Sequence, residues 1–133
     1  MQSFNLKIIT SKNGVKFDGE AQSVMVRTVM GDVNIWAKHI DYVTALGIGK
    51  AVVTIGDEKR NAACNGGVLT VLKGEVTLLA STFEWQEEID LNRANEALER
   101  AKEIMTNAQD ARQLELAKLR IQRALTRIDV KDD

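Results

Sequence analysis

Arginines in the C-terminal third are the side chains of this chain best placed to do chemistry. Arg120, Arg123 and Arg127 are spaced at i, i+3 and i+7, so a helix would carry all three on one face. A second charged set shares one side of the preceding helical segment: Asp90, Arg93 and Arg100. If the two segments folded together, the arginines would converge, and converging guanidinium groups repel unless an anion lies between them. Because arginine presents a planar fork of donors, the pattern predicts a site for a polyphosphate or for an acidic protein surface.

Two other interpretations of the arginines bear on the choice of partner. The same stripe is ordinary for a solvated helix face whose residues form surface salt bridges, and the sequence leaves that alternative open. Nucleic acid is a poorer candidate, because the net charge is -1 at pH 7 and stacking residues do not interleave with the arginines. The aromatic residues in question are Trp36, Tyr42, Phe83 and Trp85.

The sequence contains no recognisable pattern of catalytic residues. His39 is the only histidine, so any Ser-His-Asp or Cys-His arrangement would need it, and no Gly-x-Ser-x-Gly turn presents a nucleophile. No HExxH, paired CxxC or calcium-loop pattern occurs, and the single cysteine, Cys64, is expected to be a small buried residue. Gly66-Gly67 lacks the frame of a phosphate loop and is expected to form a hairpin turn. We expect no catalysis, no metal and no required cofactor.

Residues up to about Ala80 have the pattern of an all-β domain, in which short β-branched runs alternate with turn residues. The predicted strands are 4–10, 23–28, 44–48, 51–55, 60–64, 68–72 and 76–80. The predicted turns are 12–14, 31–32, 56–57, 65–67 and 73–74. Strands this short and this regularly spaced predict a sandwich or flattened barrel.

From residue 89 onward glycine is absent and the apolar period is that of a helix. One seam comprises Leu91, Ala94, Leu98, Ala101, Met105 and Ala108. The next comprises Leu114, Ala117, Ile121, Ala124 and Ile128. Large residues alternate with alanines in both, which predicts an antiparallel helical hairpin of about three to five turns per arm, with Asp90 capping its start. Alanine-rich seams bury little area, so the hairpin is a candidate switch. A permanent helical tail or a dimerising coiled coil fits the spacing equally well.

Several segments together resemble the epsilon subunits of bacterial-type rotary ATP synthases. Residues 89–94, IDLNRA, resemble the I/L-D-x-x-R-A motif at the start of that family's C-terminal helices. Residues 65–71 and 76–80 are similar to its Gly-Gly hairpin and last strand, and residues 6–10 and 24–32 also fit. The resemblance covers essentially the whole chain. One stretch departs from it, since 31–41 keeps the frame and His39 but lacks the family's usual glycines, leucine and prolines. This departure bears on the local loop shape and its ring contacts and not on the fold.

The resemblance implies a β-sandwich over residues 1–84 and a regulatory two-helix domain over 85–133. The sandwich would bind the gamma subunit of the central stalk and rest on the c-ring. The hairpin would either fold against the sandwich or extend into the head of alpha and beta subunits, where it would inhibit ATP hydrolysis. Such a subunit is non-catalytic, couples ion flow to rotation and lies peripherally at the cytoplasmic face of the cell membrane. No segment approaches the roughly 20 apolar residues that span a bilayer.

The resemblance also assigns roles to individual residues. Contacts with the rotor ring would use Asp32 and His39. Contacts with a beta subunit would use Lys118, Arg120, Arg123 and Arg127. Some relatives hold the folded form by binding ATP between the helices, and the matching positions here are Glu84, Asp90, Arg93, Arg100, Arg123 and Arg127. The alternative function is an independent β-sandwich binding module with a dimerising helical tail.

Overall fold

The computed structural model describes residues 2–133, which form a β domain followed by two helices. The strands are β1 (Phe4–Thr10), β2 (Gly14–Ala21), β3 (Ser23–Thr28), β4 (Gly31–Trp36), β5 (Tyr42–Ile55), β6 (Glu58–Leu72) and β7 (Glu75–Trp85). A 3-10 turn (Gln86–Glu88) leads to α1 (Leu91–Thr106) and α2 (Ala111–Asp132). The sheet order is β2-β1-β7-β6-β5-β3-β4, antiparallel except between β1 and β7. Residues from all seven strands enclose one apolar core, which confirms the predicted sandwich.

Along each of the three central strands, β5, β6 and β7, every second residue faces the core. In all three, this alternation shifts by one residue at the same level of the sheet. The residues that flank the change are Leu46 and Gly49 in β5, Cys64 and Leu69 in β6, and Ala80 and Phe83 in β7. In β5, β6 and β7 alike, even-numbered residues face the core on the N-terminal side of this level. Odd-numbered residues face the core on its C-terminal side. One extra residue per strand lets the sheet bend from one layer of the sandwich into the other. We call this level the bend.

The bend explains two errors of the sequence prediction. The predicted strands 44–48 and 51–55 are one strand, β5, and 60–64 and 68–72 are one strand, β6. Because the apolar alternation restarts at the bend, each long strand resembles two short ones in sequence. Gly49 lies between the two segments that were predicted as separate strands. It is needed for packing, since a Cβ on Gly49 would lie 2.7 Å from the Cβ of Arg27.

The predicted hairpin turn at 65–67 is also wrong. Gly66 and Gly67 lie inside β6 with φ of +63° and +112°, and pairing with β7 continues on both sides of them. A Cβ on Gly67 would lie 1.8 Å from the backbone oxygen of Leu79. The glycine pair therefore serves the close approach of β7 at the bend and not a chain reversal.

Two strands were missed because they lie at the edges of the sheet. β2 and β4 occupy the two ends of the strand order, and each has a single buried residue while half of its residues are exposed. A strand without a continuous buried face carries little apolar alternation to detect. The predicted turns at 56–57 and 73–74 are present, whereas the turn predicted at 31–32 lies at 29–30, just before β4.

The two helices form the predicted antiparallel hairpin. Asp90 caps α1 by accepting a hydrogen bond from the backbone nitrogen of Arg93 at 3.2 Å, and Asp110 caps α2 in the same way. The buried residues of the first seam are Ala94, Leu98 and Ala101, and those of the second seam are Ala117 and Ala124. The arms contain 16 and 22 residues, so α2 exceeds the predicted length, at about six turns. Its extra turn carries Val130, which is buried against the β domain. No helix of residues 2–133 has the length and apolarity to cross a membrane.

Candidate interdomain anion site

The last turns of α2 lie on the outward face of β5, β6 and β7. Lys50, Ala63 and Glu84 are paired neighbours across these strands and form a row beneath the helix. In the middle of the row Ala63 packs with Val130 of α2 and with Ile89, and the three side chains form a buried apolar cluster separate from the main core. A cluster of three small or medium side chains buries little area, so it holds the hairpin only weakly.

Polar contacts flank this apolar cluster on both sides. The Arg127 Nε lies 2.8 Å from Oε1 of Glu84, and its Nη2 donates to Oε2 at 3.3 Å. The Nε–H is buried but points at no acceptor among residues 2–133, so charge holds this pair more than an aligned hydrogen bond does. Lys50 forms an ion pair with the Asp133 carboxylate, and the Gln86 side-chain amide donates to the Asp133 backbone oxygen at 2.7 Å.

The short turn between the two domains is fixed to the β domain by its own ion pairs. Lys16 donates to both carboxylate oxygens of Glu88 at 2.8 and 2.7 Å, and the Trp85 backbone nitrogen donates to the same carboxylate at 2.9 Å. Partial burial raises the pKa of Glu88, but these hydrogen bonds outweigh it and hold the pKa below its usual value. Arg60 stacks 3.8 Å above the Trp85 ring and donates to Glu87 at 2.5 Å. The hairpin therefore leaves the β domain from a rigid point.

A cleft of about 380 Å³ lies between the docked hairpin and the β domain. Four of the six predicted ATP-binding residues line it: Glu84, Arg93, Arg123 and Arg127. The strands also line it with the apolar residues Ile48 and Ala63 and with polar residues such as Asn65 and Thr82. One arginine of the first helix, Arg93, and two of the second, Arg123 and Arg127, thus meet at one cleft, whereas Arg100 and Arg120 of the same two sets do not line it.

The other two predicted ATP-binding residues lie outside this cleft. Arg100 lines a groove of about 440 Å³ along the hairpin, which it shares with Arg120, Arg123 and Arg127. Its nearest carboxylate is that of Glu96, at 4.0 Å. Asp90 is occupied as the cap of α1. Arg123 and Arg127 line both the groove and the cleft, so a ligand bound in one would change the charge and position of residues that line the other.

Sequence reasoning missed the residues that the β domain contributes to the cleft. Lys12 and Asn13 come from the turn between β1 and β2, Thr10 ends β1, and Asn65 and Thr82 lie at the bend. Nothing near Lys12 and Asn13 in sequence signals a site, since Arg93, Arg123 and Arg127 follow roughly 80 to 115 residues later. Only the docking of the hairpin brings the two groups together.

The residues predicted to contact other subunits are spread over the surface. Asp32 of β4 accepts from Nε of Arg27 at 2.5 Å, and this hydrogen bond raises the pKa of the Arg27 guanidinium. His39 follows β4, with Nδ1 2.9 Å from the backbone oxygen of Ile40. Lys118 is exposed on α2, 3.6 Å from Glu115.

An apolar stripe crosses five strands on the far side of the bend from the hairpin. Its members are successive cross-strand neighbours: Ala45, Val68, Leu79, Ile9 and Val15. Leu79, near its centre, is 48% exposed. We call this surface the outer stripe. Within residues 2–133 no group of three or more His, Cys, Asp or Glu side chains could hold a metal ion.

Comparison with known proteins places the fold in a family. The family model described as ATP synthase, Delta/Epsilon chain, beta-sandwich domain matches residues 3–86. The corresponding long alpha-helix domain matches residues 87–132. The chain is 35% identical over 131 residues to the ATP synthase epsilon chain of Shouchella clausii, covering 98% of this chain and 96% of the relative.

Further relatives are also ATP synthase epsilon chains, and a solved structure shares the fold. The epsilon chain of Caldicellulosiruptor saccharolyticus is 33% identical over 128 residues, covering 96% of this chain and 93% of the relative. The sodium ion specific epsilon chain of Acetobacterium woodii is 39% identical over 101 residues, 75% of either chain. A chain of the Euglena gracilis mitochondrial ATP synthase shares the fold with a TM-score of 0.77 at 21% identity, over 90% of this chain and 76% of that one. This chain belongs to the delta/epsilon chain family of the ATP synthases, whose members are non-catalytic subunits of that complex.

Proposed function

We propose that this chain works in the central stalk of an ATP synthase at the cytoplasmic face of the membrane, where it couples ion flow to rotation. Its β domain binds the gamma subunit and rests on the c-ring through the region of Asp32 and His39. Its hairpin inhibits ATP hydrolysis when extended towards the alpha and beta subunits, and bound ATP holds it folded. The observation that carries the regulatory part is the cleft in which Arg93, Arg123 and Arg127 converge beside Glu84.

The outer stripe is the surface that suits the gamma subunit. It runs unbroken across five neighbouring strands, and two of its members besides Leu79 are exposed large apolar residues, Val15 and Val68. A contiguous exposed apolar surface on a small domain usually marks a protein interface. A rigid sheet also presents such a stripe without the entropy cost of ordering a loop. This surface is free while the hairpin is docked, so gamma binding and hairpin folding are compatible.

Replacing Leu79 by aspartate should weaken binding to a gamma subunit at least about tenfold, because a charge would be desolvated in an apolar contact without a partner. The fold should survive, since the leucine side chain is half exposed. The dissociation constant can be measured by interferometry with immobilised gamma subunit. Leu125→Asp is the matched control, since that leucine is 45% exposed on α2. Unchanged affinity of the Leu79 variant would place the gamma contact elsewhere.

The switch follows from the double use of two arginines. Arg123 and Arg127 line the cleft of the folded form and are also among the residues predicted to meet acidic groups on a beta subunit. In the folded form Arg127 is already paired with Glu84. The folded and extended forms therefore compete for the same guanidinium groups, and an anion that satisfies them in the cleft favours folding. ATP at a hundredfold excess over its dissociation constant for the folded form would add about 2.7 kcal/mol to it, provided that it does not bind the extended form.

Removing Arg123 tests the nucleotide site. We expect calorimetric titration to show ATP binding to the unaltered chain and at least about tenfold weaker binding to Arg123→Ala, since a charge-assisted phosphate contact is lost. Arg112→Ala, an exposed arginine in the first turn of α2, is the control and should bind ATP normally. Equal binding by all three proteins would mean another site. Absence of binding to the unaltered chain would end the ATP proposal and leave the family assignment intact.

A further inference from the structure

We propose that the anion in this cleft bridges the two domains, with Lys12 of the β domain contacting its phosphate groups opposite Arg93 and Arg123 of the hairpin. This inference rests on the proposed nucleotide site. It adds a cationic residue of the β domain to a site to which that domain otherwise contributes the carboxylate of Glu84, and the added contact exists only when the hairpin is docked.

The charges around the cleft are unbalanced. Lys12, Arg93, Arg123 and Arg127 line it together with a single carboxylate, that of Glu84, which leaves a surplus of three positive charges. Arg127 takes up that carboxylate. Within residues 2–133 no carboxylate lies within 4.0 Å of a side-chain nitrogen of the other three cations. Cations brought together without counter-charges repel, and a polyanion between them removes the repulsion.

The turn that carries Lys12 is held in place. The buried hydroxyl of Thr10 accepts a hydrogen bond from the backbone nitrogen of Asn13 at 3.0 Å, which closes the turn around Lys12. Gly14 follows with φ of +70° and lets the chain enter β2 directly. A lysine on a closed turn loses less freedom on binding a ligand than one on an open loop. The turn therefore keeps Lys12, an exposed residue, at the edge of the cleft.

The shape and composition of the cleft suit a nucleoside polyphosphate. Its volume of about 380 Å³ lies in the range of small-molecule sites. Ile48, which is partly exposed, offers an apolar surface, whereas Asn65 and Thr82 offer polar groups at the bend. A ligand with an apolar ring and a polyanionic tail would use both parts.

A bridging ligand solves a thermodynamic problem of the switch. A ligand that touches only the zipped helices binds equally well whether or not the hairpin is docked, so it cannot shift docking. A ligand that also touches Lys12 keeps that contact only in the docked form. The difference in affinity between the two forms is then set by the contacts from the β domain. Glu84 also belongs to that domain, but it is an anion already paired with Arg127, so Lys12 supplies the contact that attracts phosphate.

The test is calorimetric titration of the full chain with ATP, inorganic triphosphate and adenosine. We expect Lys12→Ala to bind ATP and triphosphate about tenfold more weakly and adenosine as before, because only phosphate contacts are lost. Lys38→Ala, an exposed lysine in the loop after β4, should match the unaltered chain. In parallel, ATP should slow tryptic cleavage of α2 in the unaltered chain and protect much less in Lys12→Ala.

The outcomes separate this inference from the site on which it rests. Loss of ATP affinity in Arg123→Ala with normal affinity and protection in Lys12→Ala would overturn the bridge and keep a site made by the hairpin. Normal affinity in both variants, or no ATP binding by the unaltered chain, would overturn the site and the bridge together. Weakened adenosine binding in Lys12→Ala would show that the lysine shapes the cleft and does not hold phosphate, which also overturns the bridge.

Discussion

Replacing Gly67 by alanine should lower the free energy of unfolding of the β domain by roughly 4 kcal/mol or more, the range of severe core defects. The new Cβ would lie 1.8 Å from the backbone oxygen and 2.8 Å from the backbone carbon of Leu79. No side-chain rotation relieves a clash with backbone, so β7 would have to move away from β6 at the bend. The loss can be measured by urea denaturation followed by tryptophan fluorescence.

Gly74→Ala is the matched control for this prediction. Gly74 also has a positive φ, +82°, but nothing lies within 4 Å of its Cβ position. It should therefore cost only the left-handed backbone penalty, about 1 kcal/mol. The difference between the two variants isolates the close approach of β7. Equal losses would mean that the glycine pair is there for its backbone angles and not for packing.

Replacing Val130 by aspartate should release the hairpin from the β domain while leaving both domains folded. Val130 is fully buried against Ala63 and Ile89, and an unpaired charge there would cost about 3–5 kcal/mol. That cost exceeds the contribution of the flanking ion pairs, each worth at most about 1 kcal/mol at such exposure. In an assembled ATP synthase we expect stronger inhibition of ATP hydrolysis, which added ATP no longer relieves. In the isolated chain, trypsin should cleave α2 faster.

Leu125→Asp carries the same new charge on an exposed part of α2 and serves as the control. It should leave trypsin sensitivity and the response to ATP unchanged. Rapid cleavage of α2 in Val130→Asp without stronger inhibition would mean that release of the hairpin is not sufficient for inhibition. Unchanged cleavage would mean that docking does not depend on the apolar cluster.

The two predictions concern different layers of stability. The β domain is held by one core that draws on all seven strands, so a defect at the bend affects the whole domain. The hairpin is held to that domain by three apolar side chains and a few partly exposed ion pairs. The proposed regulatory role requires a rigid part and a weakly docked part, because only the second would have to move.

Local patterns in the sequence determined the two-part architecture. The seams of α1 and α2, the cap at Asp90 and the strands β1 and β3 follow from apolar spacing and turn residues, since these patterns act over a few residues. Helix periodicity also placed Arg93 on one helix face and Arg123 with Arg127 on another. Their convergence followed only on the condition that the two helices fold together.

Only the tertiary structure decided what happens at the bend and at the cleft. The continuity of β5 and β6 and the role of Gly67 depend on how one strand passes its neighbour, which no short segment encodes. Lys12 reaches the cleft because the hairpin folds back over the β domain and faces the turn after β1. A pattern in sequence indicates which residues share a face of one helix or strand. A site between domains is made by contacts between residues far apart in the chain. Those contacts form only when the domains dock.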